Sequence, residues 1–103
     1  MEGLKKMGNP NYQAGRREEY ATQRKWEEAG YSTIRASGSH GKADVVAFRP
    51  DRKPELIQCK VTKTEAEAKR LIKDFKSYTI PSSYYHQVIS VKIKRGETLT
   101  WTI

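Results

Sequence analysis

Only one cysteine, Cys59, occurs in 103 residues, which excludes an internal disulfide and suits a reducing cytosol. No apolar run approaches the roughly 20 residues that a membrane span requires. Met1 to Gly15 is polar and basic and lacks the apolar centre of a signal peptide. These absences predict a cytoplasmic protein, of a cell or of a virus-infected host cell, with no membrane partner. No Cys/His spacing suits zinc, and there is neither an internal repeat nor a low-complexity tract. Acidic residues are scarce too: 12 Asp and Glu face 20 Lys and Arg, for a formal charge of +8. Such an excess favours a polyanionic partner, because each neutralised phosphate releases condensed counterions. A solvated basic surface or an anionic membrane surface fits the charge equally well, so composition alone gives a binder without chemistry.

The length allows one domain with a modest core. Residues 1–14, rich in Gly, Asn and Lys, read as a flexible basic N-terminal arm, leaving 15–103 as a single domain. Gly15 to Ala29 are mostly good helix formers, closed by Gly30 in a helix-stop role. Tyr31 to Ala36 reads as a short strand, followed by the turn-rich loop Ser37-Gly38-Ser39-His40-Gly41. Ala43 to Phe48 and Glu55 to Val61 are further strands, joined by a surface turn over 49–54 that holds two prolines. Thr64-Glu65-Ala66-Glu67 is a capping box. Behind it, Ala68, Leu71, Ile72, Phe75 and Tyr78 recur at helical spacing as a core face, with Lys69, Arg70, Lys73 and Lys76 opposite. His86 to Ile93 and Glu97 to Ile103 form a hairpin across Lys94-Arg95-Gly96. The expected architecture is α/β, a central mixed sheet flanked by helices in the order α-β-β-β-α-β-β. The helix between the third and fourth strands acts as the crossover. Trp26 and Trp101 are assigned to the core.

The third strand carries the chemistry. Alternation puts Leu56, Gln58 and Lys60 on one face and Ile57, Cys59 and Val61 on the other. A Gln and a Lys near the end of an apolar strand are costly to bury without partners. The preceding strand opens with Asp44 in Ala43-Asp44-Val45-Val46-Ala47. If the two strands pair as a hairpin, an ammonium, a carboxylate and an amide oxygen converge. Phosphodiester cleavage asks for such a set: hard oxygen ligands for Mg²⁺ and a cation beside the attacked phosphate.

Together these residues resemble the PD-(D/E)XK nuclease superfamily, and within it the archaeal-type Holliday-junction resolvases, including viral forms. Gly15 and Glu19 match that family's Gly-x-x-x-Glu helix start. Gly30-Tyr31-Ser32-Thr33-Ile34-Arg35-Ala36-Ser37-Gly38-Ser39 matches its Gly-aromatic, strand, Arg, Ser-Gly-Ser stretch. Asp44-Val45-Val46-Ala47 and Gln58-Cys59-Lys60 match its Asp and acid-x-Lys elements, and the match spans roughly residues 15–80. The resemblance implies a restriction-endonuclease-like core and a homodimeric, Mg²⁺-dependent endonuclease, with Mn²⁺ able to substitute. Its substrate would be branched DNA, nicked in pairs during recombination and repair. It further implies Asp44 as central metal ligand, with Gln58, Glu19 and the backbone carbonyl of Cys59 completing the set. Lys60 would activate the attacking water, and Ser39 and Arg35 would sit near the cut strand. Ser37, His40, Lys42, Lys63 and Arg16 complete the candidate nucleic-acid contacts. Gln58 departs from the usual acid: an amide oxygen still ligates Mg²⁺, but with less charge. Glu55 cannot replace it, since it points to the other face.

Each residue also has a plainer reading. Asp44 alone is a turn residue or ion-pair partner, and Lys60 alone snorkels from a strand end. Glu19 complements a helix dipole, and Glu18 beside it is an alternative register. His40 is an exposed loop residue, while Tyr84 and Tyr85 are packing, a dimer contact or a stacking platform. The function can also be that of another nuclease of the superfamily (repair, restriction or single-strand-specific), or of a catalytically weak nucleic-acid-binding module.

Overall fold

The computed structural model describes residues 10–36 and 43–103, with side chains from residue 15 onward. Ser37, Ser39, His40 and Lys42 therefore lie outside the described residues, as does most of the expected arm. Helix α1 spans Pro10–Glu28, strand β1 Ser32–Arg35, β2 Val45–Arg49 and β3 Arg52–Thr62. Helix α2 spans Glu65–Tyr78, and β4 His86–Ile93 and β5 Thr98–Thr102 follow. The sheet order is β1-β2-β3-β4-β5, with β3 and β4 parallel and the other neighbours antiparallel. This is the mixed sheet and element order expected.

Helix α1 begins at Pro10, five residues earlier than the sequence suggested. Proline suits a first helical position, because the N–H it lacks would have no helical partner there. At the other end the helix stops in a Schellman motif. Tyr31 N–H donates to the Trp26 carbonyl at 3.1 Å and Gly30 N–H to Glu27 at 3.0 Å. Gly30 supplies φ +98°, and Tyr31 packs edge-on against Trp26 with ring centroids 4.9 Å apart. Both motif bonds and its apolar contact are thus present. Helix α2 starts on Thr64, whose hydroxyl accepts from Glu67 N–H at 3.2 Å; the Glu67 carboxylate reaches back to Lys63 N–H at 3.3 Å. The capping box is formed, with its return bond one residue earlier than the usual pattern.

Two core clusters sit on opposite faces of the sheet. Val45, Ala47, Ile57, Cys59 and Val88 pack with Trp26 and Tyr31 under α1. Ile89, Val91 and Ile93 pack with Ala68, Phe75, Leu71 and Ile72 under α2. The alternation expected of β3 holds, with Ile57 and Cys59 turned toward α1. Two apolar assignments fail. Tyr78 is 61% exposed and Trp101 is 44% exposed. The helix ends at Tyr78, where its ring meets only the edge of Phe75, and Trp101 lies on the edge strand beneath the Lys76 ammonium, 3.6 Å from its centroid. β3 also runs three residues further back than expected, into the proline-bearing turn. The register with β2 slips by one between Ala47 and Arg49, so Lys53 and Pro54 together face Phe48. A bulge of this kind accommodates a residue without an N–H.

Candidate metal centre and nucleic-acid cleft

Asp44 sits just before β2 and is bonded on both sides of Gln58. Its N–H donates to the Ile57 carbonyl at 2.8 Å, and its Oδ2 accepts from the Cys59 N–H at 2.9 Å. β2 begins only at Val45, so the Cys59 amide lies past the β2–β3 ladder; the Asp44 carboxylate supplies its acceptor. The carboxylate is thereby fixed on the backbone amide that lies between Gln58 and Lys60. Among the described residues Oδ1 of Asp44 and the Gln58 amide have no hydrogen-bond partner.

Helix α1 lies across β3, with β1 and β2 to one side and β4 to the other. Glu19 points toward β1, where its Oε1 accepts from Arg35 Nη1 at 2.9 Å. The Arg35 guanidinium also stacks over Tyr20, 4.8 Å from the ring centre. Glu18 points the opposite way, toward Lys92 and the Thr22 hydroxyl. Partial burial raises its carboxyl above the usual range, only partly offset by Lys92 and Lys25. The two neighbouring glutamates are thus separated, and Glu19 is the one on Asp44's side. Between them the Cys59 thiol is buried, 3.5 Å from the Thr22 hydroxyl. Desolvation pushes it up to about 12, with Asp44, Glu19 and Glu18 adding to the shift. The sulfur stays a neutral thiol at physiological pH, which leaves the Cys59 backbone carbonyl as that residue's one hard donor.

Gln58 opens onto a small pocket of about 110 Å³ walled by Tyr78, Thr79, Ile80 and Gln87. Lys60 opens instead onto a cleft of about 490 Å³ with Lys63, Arg70, Lys94 and Glu67. Lys60 and Lys63 are exposed there, as the nucleic-acid assignment of Lys63 requires. Arg16 is exposed on α1. Lys94 was not singled out from sequence; its position beyond the end of β4, level with the end of β3, is visible only once the two strands are parallel. Glu55 is 6% exposed and held by His86 Nδ1 at 2.8 Å. It faces α1 and cannot serve in place of Gln58, as expected.

The donor set can be tested against a hard cation. Among the described residues Asp44 has one oxygen outside its Cys59 bond and Gln58 an amide without a partner, and with the Cys59 carbonyl these are oxygen donors of the type Mg²⁺ accepts. Glu19 is engaged by Arg35 through Oε1 alone, so Oε2 would be the oxygen it could add. No group of three or more Asp, Glu, His or Cys converges among the described residues. The donor types are those a hard divalent cation accepts, with Asp44 as the one carboxylate beside Gln58.

No family profile matches the chain, and no curated protein matches it. Among the described residues no helix is long and apolar enough to cross a membrane. In three dimensions the chain is similar to Hjc of Archaeoglobus fulgidus, a Holliday junction resolvase from an archaeal hyperthermophile. The TM-score is 0.57 at 20% identity, over 85% of this chain and 71% of that one. The chain therefore has the fold of that resolvase, a mixed five-stranded sheet between two helices in the order α-β-β-β-α-β-β.

Proposed function

We propose that the protein is a divalent-metal-dependent DNA endonuclease that nicks branched DNA, the four-way junction in particular, as a homodimer. The observation that carries this reading is the Asp44 carboxylate, tied to the Cys59 amide beside Gln58 and Lys60, in a fold shared with a junction resolvase. Asp44, Gln58 and the Cys59 carbonyl would hold Mg²⁺ or Mn²⁺. When bound, the ion supplies Lewis acidity at the phosphate and a more acidic water. The chain's own residues do the rest. Lys60, exposed at the end of β3, places an ammonium where charge builds on the phosphate. The Cys59 N–H holds the Asp44 carboxylate in one orientation. Arg35, pinned by Glu19, stands beside the strand being cut. Two such sites related by a twofold axis would cut two strands symmetrically.

The test uses labelled four-way junction, duplex and single-stranded DNA with Mg²⁺ or EDTA, alongside Asp44→Ala. Paired symmetric nicks on the junction, lost with EDTA and in Asp44→Ala, are expected. Sedimentation should give twice the chain mass of 11.9 kDa. Cleavage indifferent to EDTA or to Asp44→Ala would overturn the metal-site reading. Gln58 in the acid position favours a second reading, a module that binds junctions without turnover. Tight junction binding with no cleavage under any condition would select it.

A further inference from the structure

A second cleft lies on the α1 face of the sheet, away from Gln58 and Lys60. It measures about 570 Å³ and is lined by Arg17 and Arg24 from α1, by Lys92, Lys94 and Arg95 from β4 and its turn, and by Glu18. We propose that this cleft is a second seat for the phosphodiester backbone of double-stranded DNA, continuous with the cleft that holds Lys60. The proposal rests on the DNA-directed reading above and assigns the path of the duplex outside the cutting site.

Three observations support it. First, five cations face one carboxylate, and none of the five lies within ion-pair distance of an acid among the described residues. By contrast Arg35, Arg49, Lys69 and Arg70 all do. Like charges gathered in a cleft repel, and although Lys92 also donates to the Gly96 carbonyl, a bound polyanion would relieve that repulsion. Second, Arg95 adopts φ 58°, the left-handed region. An L-residue there costs about 1–2 kcal/mol, where glycine would be unstrained. A cationic side chain is held at the turn despite that cost. Third, Val61 and Lys94 border both clefts. The cations thus form one belt around the carboxyl ends of the parallel strands β3 and β4, the usual location of ligand crevices in open α/β sheets. Arg17 and Arg24 stand two turns apart, about 10 Å along the helix axis, farther than one phosphate can bridge. A string of phosphates suits this spread better than a single small anion.

Binding is measured apart from cleavage, in the Asp44→Ala background with EDTA, by anisotropy of a fluorescein-labelled DNA duplex across a KCl series. Each lost phosphate contact lowers the salt slope by about 0.9. The triple variant Arg17→Gln/Arg24→Gln/Arg95→Gly should lose roughly 2–3 from the slope and at least about tenfold in affinity at low salt. Lys53→Gln/Lys69→Gln/Lys73→Gln removes the same formal charge outside both clefts and should leave the slope unchanged. Glu18→Gln, which removes the cleft's one carboxylate, should tighten binding. Arg95→Gly alone relaxes the backbone, so it repeats the test if the triple variant folds poorly; a drop of about 0.9 is expected. An unaltered slope in the cleft variants, or equal losses in cleft and control triples, overturns the proposal. If Asp44-intact protein still cleaves junctions in that case, the nuclease reading stands without this cleft. A protein that binds no DNA overturns both. One that binds but never cuts, with the predicted loss of slope, supports the cleft and sinks the nuclease.

Discussion

Asp44 owes its position to a backbone need. The Cys59 N–H lies beyond the first residue of β2, outside the ladder, and the carboxylate supplies the missing acceptor at 2.9 Å. A charged acceptor on a backbone donor is among the stronger hydrogen bonds, so the acid is oriented before any ligand arrives. Gln58 has no such anchor. Gln58→Glu should restore a charged ligand and lower the Mg²⁺ concentration needed for half-maximal cleavage by about tenfold, since one extra carboxylate on a hard cation is worth of the order of 1–2 kcal/mol. An unchanged metal titration would remove Gln58 from the ligand set. Cys59 makes a prediction of different sign. Its thiol is raised to about 12 in the fold, so above pH 9 the unfolded chain releases a proton that the folded one keeps. Stability should then fall as pH rises, by up to about 1.4 kcal/mol per pH unit between roughly 9 and 12. Urea unfolding at pH 8 and pH 10 checks this: Cys59→Ala should lose less stability over that range than the parent. The nearness of Asp44 to the Gln58–Lys60 stretch was legible because polar groups interrupt apolar strands. The separate directions of Glu18 and Glu19 were not, because a sequence gives no rotation of a helix whose apolar face is little more than Tyr20 and Trp26.

Among the elements, the stop of α1 is the clearest case of sequence dictating geometry. Gly30 accepts φ +98°, and a Cβ there would also meet the Arg49 guanidinium at 3.4 Å. Gly30→Ala should therefore cost about 1–2 kcal/mol, read as a lower urea midpoint with an unchanged m-value; a variant as stable as the parent would contradict the assigned conformation. This stop and the Thr64 cap could be read in advance, since both rest on local chemistry. The limits of β3 could not. Pro50 and Pro54 signal a turn, and only pairing with β2 reveals that the register slip takes up Pro54 within a strand. Tyr78 and Trp101 fit the apolar pattern, yet the sheet offers them an edge. The basic cleft escaped notice for a related reason. Arg17 and Arg24 are seven apart on a helix, and Lys92 and Lys94 lie on β4 and just past its end, positions that share a cleft only once α1 is laid across β3 beside β4.

For the molecule as a whole, strand order in space follows strand order in the chain, and only the parallel β3–β4 step needs a crossover. That made the topology readable from element types. The step also divides the interior. Apart from Val88, one core cluster comes entirely from residues before α2, and the other comes wholly from α2 onward. Glu19, Asp44, Gln58 and Lys60 all fall in the first part. Separate chains for residues 1–63 and 64–103 should consequently reassemble when co-expressed, because each brings most of a core and the exposed edges of β3 and β4 complete one another. Co-purification of an untagged fragment with its tagged complement measures this, and fragments that never associate would show that the crossover itself is required. The first fragment alone would carry every proposed metal ligand on a sheet with an unpaired edge. If the proposed function holds, the protein lends itself to a split design in which the half carrying the candidate site is silent until its scaffold half is supplied.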